Sequence, residues 1–161
     1  MKKAVYTGSF DPITLGHLNI MERSSRLVDE LVVGIGINID KKGLFEPQER
    51  LDLVQRCTSH LGNITVECFQ GLAVDFVQNC GASVMIRGVR PLTDIAGEFT
   101  MTMANRRLND ELETVFLMAD GDYVHVSSSL IKQVAPLADD DQLARFVPRE
   151  IIPDLRAKLG G

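Results

Sequence analysis

Apolar residues in this chain follow two spacings in turn. Short unbroken runs at residues 4–6, 31–37, 64–69, 83–86 and 115–118 read as strands buried on both faces. Between them the spacing becomes helical. Leu18, Ile20, Met21, Leu27 and Val28 fit a helix over 16–28, and Leu51, Leu53 and Val54 line one side of a helix over 47–61. The second of these begins at Pro47, where a first turn tolerates proline. Residues 72–80 form a short helix stopped by Gly81, and 94–108, 127–137 and 148–159 read as further helices, with 139–141 an acidic helix start. Strands alternating with helices imply βαβ units with right-handed crossovers. The expected fold is α/β: a Rossmann-like doubly wound sheet of about five parallel strands with flanking helices. No repeat, low-complexity tract or Gly/Ser linker divides the pattern, so residues 1–161 are expected to form a single domain.

Composition narrows the partners. Seventeen Lys and Arg against 22 Asp and Glu give a net charge of −5. An acidic total argues against broad nucleic-acid binding and leaves room for a local basic pocket. Cys57, Cys68 and Cys80 form no CxxC pair, so zinc is not expected, and small buried thiols in a reducing cytosol are. Met1-Lys2-Lys3 leads straight into a strand-like run, without a secretory apolar segment. No uncharged stretch reaches the ~20 residues that span a bilayer. A cytoplasmic protein without membrane contact is expected.

In doubly wound sheets, ligands sit beyond the carboxyl ends of the strands, and the unusual residues cluster there. The first run is followed by Gly8-Ser9-Phe10-Asp11-Pro12 and then Thr14-x-Gly16-His17. Gly8 permits a tight turn, and a glycine and histidine at a helix start suit phosphate, because free N–H groups and the helix dipole face it. Thr14 as a helix cap with His17 on the surface is the plainer alternative. Neither the P-loop nor the dinucleotide-binding glycine fingerprint occurs. Lys41-Lys42 follows the second run, Arg87-Gly88-Val89-Arg90 the fourth, and Ser127-Ser128-Ser129 lies beyond the fifth. Taken singly, these also fit a solvated loop, a surface ion pair and an N-cap.

Jointly these motifs resemble the phosphopantetheine adenylyltransferases. The likeness runs through nearly the whole chain and takes in Lys41-Lys42 before Phe45, Glu49-Arg50, Asn105-Arg106 and Glu113-x-Val115-Phe116-Leu117. It implies attack by the terminal phosphate of 4′-phosphopantetheine on the α-phosphorus of ATP, with pyrophosphate leaving. His17 matches the transition-state stabiliser, and Ser9 the hydroxyl residue that orients the attacking phosphate. Lys41 and Arg87 match the residues that hold the acceptor's phosphate, and Ala73 a position whose main chain meets the pantetheine arm. For ATP the resemblance implies Ser9, Phe10, His17, Gly88, Val89, Arg90 and Glu98, with Tyr123, Val124, His125, Val126, Ser127, Ser128 and Ser129 as the other wall. Magnesium would ride on the ATP phosphates, with no protein metal site. A homohexamer and feedback by coenzyme A are implied as well.

One position departs from the family. The family it resembles usually carries an aromatic residue immediately before the Glu98 position, where this chain has Gly97. Two other readings stay open: a nucleotidyltransferase with another phosphate-bearing acceptor, such as nicotinamide mononucleotide or a phosphocholine-like molecule, and a nucleotide sensor without catalysis. A sensor would be expected to have lost His17 or the Lys41–Arg87 pair, both of which are present.

Overall fold

The computed structural model describes residues 2–89 and 92–159, with backbone alone at 92–94. Five strands form one sheet: β1 (Lys3–Gly8), β2 (Glu30–Gly36), β3 (Ile64–Phe69), β4 (Val84–Val89) and β5 (Glu113–Met118). All pairings are parallel, in the order β3-β2-β1-β4-β5. The helices are α1 (Leu15–Ser25), α2 (Pro47–Thr58), α3 (Ala73–Asn79), α4 (Leu92–Leu108), α5 (Ser128–Val134), α6 (Asp140–Leu143) and α7 (Ile152–Leu159). The expected doubly wound sheet is the one found. No helix among the described residues is long and apolar enough to cross a membrane.

Alternation along each strand feeds two cores. Ala4 and Tyr6 of β1, with Leu31, Val33 and Ile35 of β2, pack on one side against α1, α2 and α5 to α7. Val5, Val32 and Met85 face the other side, against Val74, Phe76 and Val77 of α3. Successive strand residues point to opposite faces, so an unbroken apolar run serves both layers.

The observed ends differ from the periodicity in ways that tertiary contacts explain. Helix α1 stops at Ser25 rather than 28, because Asn63 Nδ2 donates to Ser25 O (2.8 Å) and Val28 O (3.1 Å) and takes over the terminal carbonyls. The short helix does stop at Gly81, at φ +68°, with Gly81 N–H on Gln78 O and Ala82 N–H on Val77 O. Strand β4 runs on to Val89, so Arg87, Gly88 and Val89 lie in the strand and not in a loop after it. The reason is the continuing ladder with β5, which pairs them with Phe116, Leu117 and Met118. The helix expected over 148–159 is a 3₁₀ turn at Arg149–Ile151 followed by α7, with Pro153 in the first turn of α7, where its missing N–H costs nothing.

Cys57 is buried, and burial first, then Glu150, pushes its thiol up to about 12. Burial raises Cys68 and Cys80 too, though both are only half-buried. A raised thiol pKa lowers the share of nucleophilic thiolate.

Candidate active site

Strand order reverses at β1. The chain moves outward through β2 and β3, then crosses back to start β4 on the other side of β1. Such a reversal opens a crevice at the carboxyl ends of the two central strands. The ladder shows the parting directly. Strand β1 pairs with β2 over six residues but with β4 only from Ala4–Val84 to Tyr6–Ile86. Beyond that point Arg87 bridges the gap with its side chain, donating from Nη1 to Thr7 O (3.0 Å) and Thr7 Oγ1 (3.1 Å).

A cavity of about 650 Å³ fills the crevice. Of the residues expected at the site, Ser9, Phe10, His17, Arg87, Gly88, Val89, Glu98, Tyr123, Val126, Ser127, Ser128 and Ser129 line it. Lys41 lies on the exposed loop between β2 and α2, and Ala73 opens α3. Both stand at the same sheet edge, on the β2–β3 side, outside the cavity wall. Val124 and His125 do not line it either, and His125 packs edge-on against Phe146. Arg90 lies outside the described residues.

The loop after β1 owes its shape to Gly8 and Asp11. Phe10 sits at φ +46° and folds its ring back over the strand end, where a Cβ on Gly8 would stand 2.8 Å from Phe10 Cζ. The buried Asp11 carboxylate accepts from Phe45 N–H (2.8 Å), Leu44 N–H (2.9 Å) and Lys132 Nζ (2.9 Å), and Arg50 Nε stands 3.6 Å away. Burial pushes this carboxyl upward. The Phe45 amide, Lys132, the Leu44 amide and the Arg50 charge outweigh that and hold it below the usual carboxylate range. Asp11 therefore braces the loop. Lys132 escaped sequence reasoning because it stands 121 residues from its partner, and nothing near either residue in the chain marks the contact.

His17 is set by a reciprocal cap. Its N–H donates to Thr14 Oγ1 (3.2 Å), while Thr14 N–H donates to His17 Nδ1 (3.1 Å). An Nδ1 that accepts from an amide carries no proton, so the neutral ring holds its proton on Nε2. The Phe10 ring packs edge-on at 5.0 Å and fixes the plane of the imidazole. The cap at Thr14 is present, and it orients a ring on the cavity wall.

The three serines differ. Ser127 Oγ accepts from Leu130 N–H and caps α5, Ser128 Oγ donates to Pro12 O (2.8 Å), and Ser129 is exposed on the cavity wall. Thr7, Thr14, Ile20 and Met101 also line the cavity. Met101 belongs to α4. It reaches the site because α4 crosses the cavity mouth.

Gly97 is exposed on α4, and a Cβ there would meet nothing within 4 Å. Alanine should stabilise the helix interior by about 1 kcal/mol. Gly97→Ala is expected to slow amide exchange over residues 95–98 in the free protein, and bound ATP should protect the same segment in the parent. Core-like protection of that segment without ligand would disprove this.

Residues 5–134 match the cytidylyltransferase-like family. The phosphopantetheine adenylyltransferase of Rhodopirellula baltica is 69% identical over 157 residues, 97% of this chain and 88% of that protein. The chain belongs to the phosphopantetheine adenylyltransferases. A Clostridium botulinum member of that family is 45% identical over 96% of both chains. Among solved structures, Plasmodium falciparum nicotinic acid mononucleotide adenylyltransferase aligns with TM-score 0.69 at 14% identity, over 99% of this chain and 96% of that one. That likeness is one of fold. The adenylyltransferase family fits a crevice that carries an oriented imidazole from the start of α1 and a guanidinium from β4.

Proposed function

We propose that this chain transfers AMP from ATP to 4′-phosphopantetheine, giving 3′-dephospho-coenzyme A and pyrophosphate, in coenzyme A biosynthesis. The carrying observation is that the capped His17 ring and Arg87 line one cavity at the switch-point crevice, in a chain 69% identical to a phosphopantetheine adenylyltransferase. An oxygen of the acceptor phosphate attacks the α-phosphorus, the bond to the β-phosphate oxygen breaks, and pyrophosphate leaves with the electron pair. The nucleophile is already an anion, so the protein supplies position and charge rather than a strong base. His17 Nε2–H donates to the α-phosphate oxygens as charge develops there. Ser9, exposed at the end of β1, orients the attacking phosphate, and Phe10 meets the nucleotide through its backbone. Arg87 and Lys41 hold the acceptor's phosphate, and Ala73 meets the pantetheine arm. Gly88, Val89 and Glu98, with Tyr123 and Val126 to Ser129, enclose the nucleotide.

Magnesium belongs with the nucleotide in this reading and neutralises phosphate charge when bound. No group of three His, Cys, Asp or Glu among the described residues could hold a metal, and the Glu98 carboxylate on the cavity wall is bonded to Arg87. Phosphate oxygens and water suit that ion without a protein cage. Incubation with ATP, magnesium and 4′-phosphopantetheine should release pyrophosphate and dephospho-coenzyme A. Turnover with nicotinamide mononucleotide in place of the pantetheine acceptor would overturn the assignment.

The same reading has the enzyme in the cytoplasm, regulated by coenzyme A and assembled as a homohexamer. Support for assembly comes from the uncovered end of the sheet. Val115, Phe116 and Met118 of β5, with Phe99 and Met103 of α4, leave large apolar side chains 40–59% exposed. Patches of this kind mark interfaces. Light scattering at micromolar concentration should report a hexamer, and a stable monomer would refute this.

A further inference from the structure

The Arg87 guanidinium is already occupied. Nε donates to Glu98 Oε2 and Nη2 to Glu98 Oε1, each at 2.7 Å, while Nη1 serves Thr7 O and Oγ1. Arginine has five N–H donors, and these four contacts engage its Nε, Nη1 and Nη2 nitrogens alike. A phosphate is gripped by arginine through two parallel N–H groups. The Nη1 edge closes the gap between β1 and β4, where the ladder has ended. The Nε–Nη2 edge is therefore the one a phosphate would use, and a carboxylate of matching two-oxygen shape already sits on it.

Glu98 comes to this edge from α4, a different element from Arg87. Both side chains are partly buried, at 30% exposure for Arg87 and 21% for Glu98, so the pair is shielded from bulk water without being locked away. The Glu98 carboxylate raises the Arg87 pKa further, which keeps the cation charged at any working pH. Beside it, Gly97 carries no side chain and faces open space, so nothing at that position crowds the Glu98 side chain.

We propose that Glu98 is an internal competitor for Arg87, holding the Nε–Nη2 edge in the empty enzyme and yielding it to the terminal phosphate of the acceptor. This rests on the reading that Arg87 holds that phosphate. Two consequences follow. Acceptor affinity is set by the exchange of one anion for another and not by the full strength of the arginine–phosphate contact. Selectivity follows as well, since an acceptor without a terminal phosphate has nothing with which to displace the carboxylate, and the pair stays closed against it.

Calorimetric titration of 4′-phosphopantetheine and of unphosphorylated pantetheine tests this, on the parent enzyme and on Glu98→Gln, Glu98→Ala and Arg87→Ala. Removing an internal competitor raises the fraction of binding-competent sites, and apparent affinity rises with that fraction. Both Glu98 variants should bind 4′-phosphopantetheine roughly tenfold more tightly and gain nothing for pantetheine. Weaker or unchanged binding in both variants overturns the proposal, because a carboxylate that merely braces Arg87 would be missed and not outcompeted. Arg87→Ala reports separately on the underlying reading: a loss of about one to two decades in acceptor affinity is expected. If it binds acceptor as the parent does, Arg87 does not hold the phosphate, and the proposal falls for that distinct reason.

Discussion

His17→Ala should cut turnover by about 10²–10³ with the fold intact, the cost of losing one preorganised donor to a developing charge. The imidazole is held twice, by the Thr14 amide on Nδ1 and by the edge of the Phe10 ring. Its proton is thereby fixed on Nε2 before substrate arrives, so no reorganisation is needed during the reaction. The variant also loses half of a helix cap, at a cost of about 0.5–2 kcal/mol. That predicts a fall in Tm of a few degrees. Turnover and Tm measured on the same preparation separate the two effects. Near-parental turnover would remove His17 from the mechanism.

Asp11→Ala should lower stability by about 3–5 kcal/mol, the cost of stripping one partner from a buried, hydrogen-bonded charge group. The substitution orphans the Phe45 and Leu44 amides and leaves Arg50, itself 8% exposed, without its nearby carboxylate. Thermal unfolding should report a fall of about 10 °C in Tm for a chain of this size. The folded-state pKa of Asp11 lies below its ordinary value. Its contribution is then complete above the unfolded pKa of about 3.9 and drains away as pH falls through the folded value. The Tm gap between parent and variant should stay constant from pH 8 down to pH 5 and narrow below about pH 4. A variant within about 2 °C of the parent at pH 7 would show that the brace carries no weight.

Much of the site was legible because its information is local. The Thr14–His17 cap spans three residues, so a TxGH tetrapeptide at a helix start contains the whole device. The tetrapeptide does not reveal that cap and donor are one arrangement, because the ring plane is set by Phe10 from the preceding loop. Arg87 was legible as a cation at a strand end. Its bonds to Thr7 and Glu98 were not, since they depend on where two strands separate and on how α4 crosses them.

By itself the sequence determined the elements and the two-faced sheet. Unbroken apolar strands must be covered on both sides, and helical spacing between them supplies the cover. It also determined which residue types stand at the carboxyl edge. The tertiary structure alone decided the strand order, with β4 beside β1 and the crevice between them. It likewise decided the end of α1 through Asn63, and the bond from Lys132 to Asp11 across 121 residues. The reason is one of range. Periodicity records which face of an element is buried, whereas a partner far along the chain is chosen by the summed packing and hydrogen bonding of the whole sheet, which no short stretch of residues contains.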